Sequence, residues 1–182
     1  MSVDLRALAG DPFQLLAALE ARVQSTRPDV VRTRDDVWLG LAFRVRDYWC
    51  VAPREDVREI IPLPSLSRAP GAKPWLMGVA NVRGGILAVA DLARVLGLPI
   101  QPPAAAARVL IFNSQQLPVG LLVDEVAGYR QFTAPEQQPA RLADSGPLAP
   151  YLLGAFEREG RPWYAFSLHK LSASPEFSHA GD

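Results

Sequence analysis

The sequence predicts a mainly β protein, built either as small barrels or as a sandwich. Three observations predict it. Short apolar runs alternate with a period of two, glycine and proline turns interrupt them often, and two long proline-rich loops divide them into groups. The 182 residues suit one domain, or two small barrels sharing a core.

The elements follow in order. Asp11 and Pro12 form a helix start, a capping oxygen and then a first-turn proline. Phe13, Leu16, Leu19 and Val23 continue at helical spacing, and the helix ends near Ser25 to Pro28. Residues 1–35 therefore read as an N-terminal helix and connector. Leu39, Leu41, Phe43 and Val45 then alternate with smaller or polar residues as a half-buried strand. Asp47 marks a turn, Tyr48 to Ala52 return, and Pro53 breaks the run. Val57, Ile60 and Ile61 make a short apolar element before the proline-rich loop at 62–74.

Met77, Val79 and Val82 lead to the hairpin glycines Gly84 and Gly85, and Ile86 to Ala90 return. Asp91 caps a short helix closed by Gly97 and Pro99. Residues 108–112 and 118–126 are two strands around the polar turn at 113–116. A loop from about Thr133 to Pro150 precedes a last hairpin, Leu152 to Glu157 and Pro162 to Phe166. Residues 173–182 read as a flexible tail.

Acidic and basic residues balance at 19 each, so net charge offers no reason to bind nucleic acid or an anionic membrane. Only Lys73 and Lys170 are lysines, which favours guanidinium forks wherever cations meet partners. One cysteine, Cys50, allows no intrachain disulfide. The N-terminal residues lack the pattern of a signal peptide, and no run reaches the length of a membrane span. The expectation is a soluble cytoplasmic protein.

Catalytic signatures are missing. The sequence holds no phosphate-binding glycine loop, dinucleotide fingerprint, zinc helix or nucleophile elbow. Two histidines, His169 and His179, and one cysteine are too few for a zinc site. No metal or cofactor is called for. Asp124 and Glu125 are the best carboxylate pair, but on one strand they face opposite ways. Solvated acids at a strand end are the plain reading. Cys50 reads as a small core residue, and Trp75 as a core cap or an interface anchor.

The stretch GVANVRGGILAVADL, residues 78–92, resembles the signature of the CheW-like adaptor domain of bacterial chemosensory systems. Gly78, Asn81, Arg83, Gly84, Asp91 and Leu92 match that signature. Val57 to Ile60 (VREI) and Val119 to Val126 (VGLLVDEV) are similar to two flanking family segments. The resemblance spans residues 36–172. Ala88 stands where the family usually has proline, which bears on local rigidity. The N-terminal PFQLL, the spacing from Trp75 to Gly84 and the closing RPWYAFSLHKL resemble adaptors of type IV pilus systems within the family.

The resemblance implies two SH3-like five-stranded barrels around a common hydrophobic core. It implies a non-catalytic scaffold that binds the regulatory domain of a CheA-type histidine kinase and the cytoplasmic tip of methyl-accepting chemoreceptors. Such a protein would be cytoplasmic and recruited to membrane-associated receptor arrays, with no insertion of its own. Arg83 matches a family arginine that couples to receptor and kinase; a solvated hairpin arginine is the plain alternative. Val57 and Glu59 match positions near the kinase contact, and Arg108 falls near another contact region. Val82 lies in the same motif. Asn81 and Gly84 shape the turn more than they touch a partner. The alternative function is a small β-barrel ligand-binding protein or enzyme using Asp124 and Glu125 with His169. A third reading is a kinase regulatory domain standing alone.

Overall fold

The computed structural model describes residues 37–113 and 118–178. The expected helix at 12–24 lies outside the described residues. The chain runs β1 (Val37–Val45), β2 (Tyr48–Pro53), β3 (Val57–Pro62), β4 (Leu76–Val82), β5 (Gly85–Asp91) and helix α1 (Leu92–Val95). It continues β6 (Arg108–Phe112), β7 (Val119–Val123), β8 (Glu125–Thr133), β9 (Leu152–Arg158), β10 (Arg161–Phe166), α2 (Leu168–Ser172) and α3 (Pro175–Ser178).

Two five-stranded sheets result, ordered β8-β1-β2-β10-β9 and β3-β6-β7-β5-β4. The second is inserted whole between β2 and β8, so the first is split in sequence. Each sheet curls until its ends meet. In the inserted barrel, Ser67 and Val79 exchange backbone hydrogen bonds of 2.8 and 2.9 Å. In the split barrel, Gln138 N–H donates to the Ala155 carbonyl at 2.9 Å, beside a bridge from Gln137 to Phe156. Closure removes the open edges that a small sheet would otherwise expose.

The two barrels share one topology, with a parallel pair at the centre of each (β2–β10 and β5–β7). Their irregularities also coincide. The register shifts beside Phe43 in β1–β8 and beside Val57 in β3–β6, and again at Leu76/Gly78 and at Ala165/Phe166. Aligned on these shifts, Leu76, Gly78, Gly84 and Leu92 meet Leu152, Gly154, Gly160 and Leu168. Both fifth-position helices are capped alike: Asp91 accepts from Ala93 N–H, and Ser167 from Lys170 N–H. The sequence reading found no repeat.

The core has three parts. Ala42, Val51, Phe132, Phe156, Trp163 and Ala165 form one side of the split barrel. Leu87, Val89, Val109, Ile111 and Leu122 form one side of the inserted barrel. The alternate residues of the same strands, including Leu41, Phe43, Cys50, Ala90, Leu110, Leu121 and Phe166, join in a larger core common to both. The inner strands are therefore buried on both faces, which is why they read as continuous apolar runs.

Several sequence expectations change. Residues 118–126 are not one strand: β7 ends at Val123, and β8 begins at Glu125 and runs on to Thr133. The loop after Thr133 contains three 3₁₀ turns, Ala134–Glu136, Pro139–Asp144 and Gly146–Tyr151. Residues 173–178, read as tail, include α3, whose Phe177 is buried and stacks on Trp75 with ring centroids 5.2 Å apart. Trp75 is thus half-buried and packs against the core from its edge. Ala88 donates its N–H to the Pro118 carbonyl at 3.0 Å. Proline, usual here in the family, has no N–H to give.

Gly78 adopts φ +150°, and a Cβ there would lie 2.5 Å from the Ser67 carbonyl oxygen that closes the barrel. Its counterpart Gly154 has open space around the same position. We expect Gly78→Ala to destabilise the fold by about 1–3 kcal/mol and Gly154→Ala to be nearly neutral, as read from urea midpoints. Equal effects would refute this account of the closure.

The split barrel closes under a charged clasp. Arg158 Nε donates to Glu136 Oε1 at 2.6 Å, and Arg141 Nε donates to Glu157 Oε2 at 2.6 Å. The hydrogen bond from Arg158, followed by bonds from Thr133, lowers the Glu136 carboxyl from 4.5 to about 2. A depressed folded pKa contributes stability above the unfolded value that is lost as pH falls through the folded one. Glu136→Gln should therefore flatten the decline in urea midpoint between pH 4.5 and about 2, leaving the variant weaker than the parent at pH 7. An unchanged acid decline would show that this carboxylate does not drive it.

Candidate protein-binding surface at the seam of the inserted barrel

The β4–β5 hairpin turns through two residues, Arg83 and Gly84, because Val82 already pairs with Gly85. Both turn residues have positive φ, 52° and 82°. That is the turn whose twist suits adjoining strands. Glycine meets the requirement freely; arginine does not. Asn81 Oδ1 accepts the Gly84 N–H at 2.9 Å and holds the turn. A Cβ on Gly84 would touch nothing, so its backbone angle alone asks for glycine. The hairpin tip is thus one residue earlier than the glycine pair suggests.

The tip carries Arg83 outward, with 80% of its side chain exposed. Barrel closure brings β3 beside β4, and Arg83 Nη2 donates to Glu59 Oε1 at 2.6 Å across that seam. Glu59 is 25% exposed. An exposed pair of this kind contributes about 0–1 kcal/mol to stability. Its stronger effect is to aim the guanidinium, whose Nε and Nη1 have no partner among the described residues. Ile86, two residues past the turn, is 71% exposed. A fork with free donors beside an apolar side chain suits a protein partner that offers a carboxylate.

Arg83, Glu59, Asn81, Val82 and Gly84 therefore come together. Val57 does not join them: it is buried in the core common to both barrels. Arg108 lies three residues along β6 from Ile111, the partner of Glu59. Its guanidinium bonds the carbonyls of Ala105 and Ala107 at 3.0 and 2.7 Å. It anchors its own loop.

The carboxylates of the alternative reading occupy the joint between barrels. Asp124 pairs with the nearly buried Arg46, whose Nε donates to the Pro99 carbonyl at 2.8 Å. Glu125 Oε2 accepts from Arg44 at 3.2 Å, and Asp124 also lies 3.9 Å from Arg44. The strand break at Asp124 lets both acids reach one arginine, which a continuous strand would forbid. His169 pairs elsewhere, with its Nε2 3.1 Å from the buried Asp56 and its ring edge-on to Phe112. Asp124 and Glu125 thus share the arginines Arg44 and Arg46, while His169 lies apart from them beside Asp56. Burial pushes the Cys50 thiol far above its usual range, so it is no nucleophile. Among the described residues no cluster of three His, Cys, Asp or Glu side chains could hold a metal. Sequence reasoning missed Arg44, Arg46 and Asp56; Arg44 and Arg46 were signalled by charge beside the apolar residues of β1, and Asp56, in the charged stretch Arg54 to Asp56, by nothing local.

The model of the CheW-like domain matches residues 39–176. The chain belongs to the CheW-like family. Protein PilI of Pseudomonas aeruginosa is 37% identical over 171 residues, 91% of this chain and 94% of PilI. Chemotaxis protein CheW of Rhizobium meliloti is 29% identical over 136 residues, 75% of this chain and 88% of that protein. The crystal structure of the scaffolding protein TtCheW from Thermoanaerobacter tengcongensis superposes with a TM-score of 0.64 at 20% identity. It covers 76% of this chain and 94% of its own, which establishes the CheW-like two-barrel fold here. No helix among the described residues is long and apolar enough to cross a membrane.

The Arg46–Asp124 pair joins elements of both barrels within this CheW-like domain. Asp124→Ala should destabilise the protein by roughly 2–3 kcal/mol, because it strands a buried guanidinium. Glu125→Ala should cost about 0–1 kcal/mol, since its partner is more exposed. Urea denaturation measures both, and equal losses would refute the distinction.

Proposed function

We propose that the protein is a non-catalytic adaptor that couples methyl-accepting chemoreceptors to a CheA-type histidine kinase. We further propose that it serves the chemosensory system controlling type IV pili and twitching motility. The observation that carries this reading is the exposed Arg83, aimed by Glu59 on a CheW-like fold. The similarity to PilI over nearly the whole length of both chains supports the pilus assignment.

The mechanism needs no chemistry in the adaptor. Two barrels joined by one core present two surfaces at a fixed angle. A rigid two-faced protein can hold kinase and receptor together, and repeated weak contacts gain strength through effective concentration. The receptor state then shifts the kinase equilibrium by differential contacts. Arg83, with Glu59, Asn81, Val82 and Gly84, forms the contact in this proposal. Val57 acts from within by supporting β3, and Arg108 by holding the loop before β6.

Calorimetric binding to the regulatory domain of the CheA-type kinase of the same organism, and to its receptor tip, tests this. Arg83→Ala should keep the thermal midpoint and weaken binding to at least one partner by about tenfold, the loss of one charge-assisted hydrogen bond. Normal binding of the variant to both partners would remove Arg83 from the interface. No binding by the folded parent would sink the adaptor reading.

A further inference from the structure

The two barrels differ where one might expect them to agree. The chain between the closing strands is five residues longer in the split barrel, 134–151 against 63–75 in the inserted barrel. The longer connection folds its 3₁₀ turn Gly146–Tyr151 against α2, with Leu148 and Tyr151 buried. The shorter one borders a cavity of about 590 Å³, onto which α1 presents Arg94.

Arg68, Lys73 and Arg94 line this cavity, and no carboxylate among the described residues does. Arg94 is held in place. Its Nε lies 3.1 Å from Asp91 Oδ2, and its Nη1 donates to the Pro74 carbonyl at 3.1 Å. The side chains of Arg68 and Lys73 have no hydrogen-bond or ion-pair partner among the described residues. Elsewhere in this fold Arg44, Arg46, Arg141 and Arg158 are each paired with an acid, and Arg108 with two carbonyls. Three cations lining one space that no described carboxylate lines raise one another's energy, and an anion placed between them relieves it. The volume falls within the range of small-molecule sites, roughly 300–1,000 Å³.

We propose that this cavity binds a small polyanion carrying at least two negative charges, of phosphate or polycarboxylate type. The Arg68 guanidinium supplies a free fork that matches either oxygen geometry, Arg94 adds its remaining Nη2 donors, and Lys73 supplies a point charge. The site lies apart from the Arg83–Glu59 pair and does not depend on the adaptor reading.

The test is an NMR titration of the full chain at constant ionic strength, with inorganic pyrophosphate and separately with citrate. The expected result is saturable shifts of the amides of Arg68, Ala69, Gly71 to Lys73, Trp75 to Met77 and Arg94. Arg68→Ala and Lys73→Ala should each weaken binding by about tenfold. Neither removes an internal partner, so the anion-free thermal midpoint should stay the same or rise. Response to pyrophosphate alone assigns a phosphate ligand, response to citrate alone a polycarboxylate, and response to both a site selecting by charge. No saturable shift with either anion, or shifts that persist unchanged in the Arg68→Ala/Lys73→Ala double variant, would overturn the proposal. The purified chain suffices, so failure here leaves the adaptor reading untouched, and failure to bind kinase leaves this site untouched.

Discussion

The inner three strands of each sheet face two ways, and the core between the barrels fills the side that neither barrel encloses alone. Leu41, Phe43 and Phe166 enter it from the split barrel, and Ala90, Leu110 and Leu121 from the inserted one. Each barrel is too small to bury much apolar surface by itself. Removing either half would leave a broad apolar face in water. The rest of the architecture follows from this shared burial: the insertion of β3–β7 as one unit, the crossing of α3 to stack Phe177 on Trp75, and the Arg46–Asp124 pair that flanks the joint.

Closure is the second constraint, and it differs between the barrels. The inserted barrel closes by close backbone approach at Gly78, with the Glu59–Arg83 pair beside the same seam. The split barrel closes by a longer connection and the Glu136–Arg158 and Glu157–Arg141 clasp. One topology thus yields a sealed, internally paired surface on one side and a shorter, cation-lined loop on the other. Surface chemistry separates the barrels where backbone geometry does not.

Much of the fold was legible from residue pattern. The strand through Leu39 to Val45, the turn at Asp47 and the cap at Asp91 follow from local sterics and hydrogen bonding, although β1 is buried on both faces at Gly40 to Phe43 and exposes Leu39 rather than alternating. The β7–β8 boundary was not legible. Val119 to Val126 interrupts its apolar run only at Asp124 and Glu125, which alternation allows within one strand, and the break falls where Asp124 turns to Arg46, 78 residues earlier in the chain. The repeat was equally hidden. Leu76, Gly78, Gly84 and Leu92 match their counterparts, but the neighbours diverge because the two barrels fill their interiors with side chains of different size, such as Leu87 against Trp163.

For the candidate site, sequence alone determined the hairpin, but the pairing of Val82 with Gly85 set its tip at Arg83 and Gly84, one residue before the glycine pair. Sequence also determined family membership through motifs in fixed order. Only the tertiary structure decided which of the nominated residues meet. Glu59 reaches Arg83 because β3 and β4, at opposite ends of one sheet, become neighbours when the barrel closes. Val57 withdraws into the core, and Arg108 turns to its own loop, for the same reason. Closure depends on the sum of pairings around the ring, and no short stretch of sequence contains that sum.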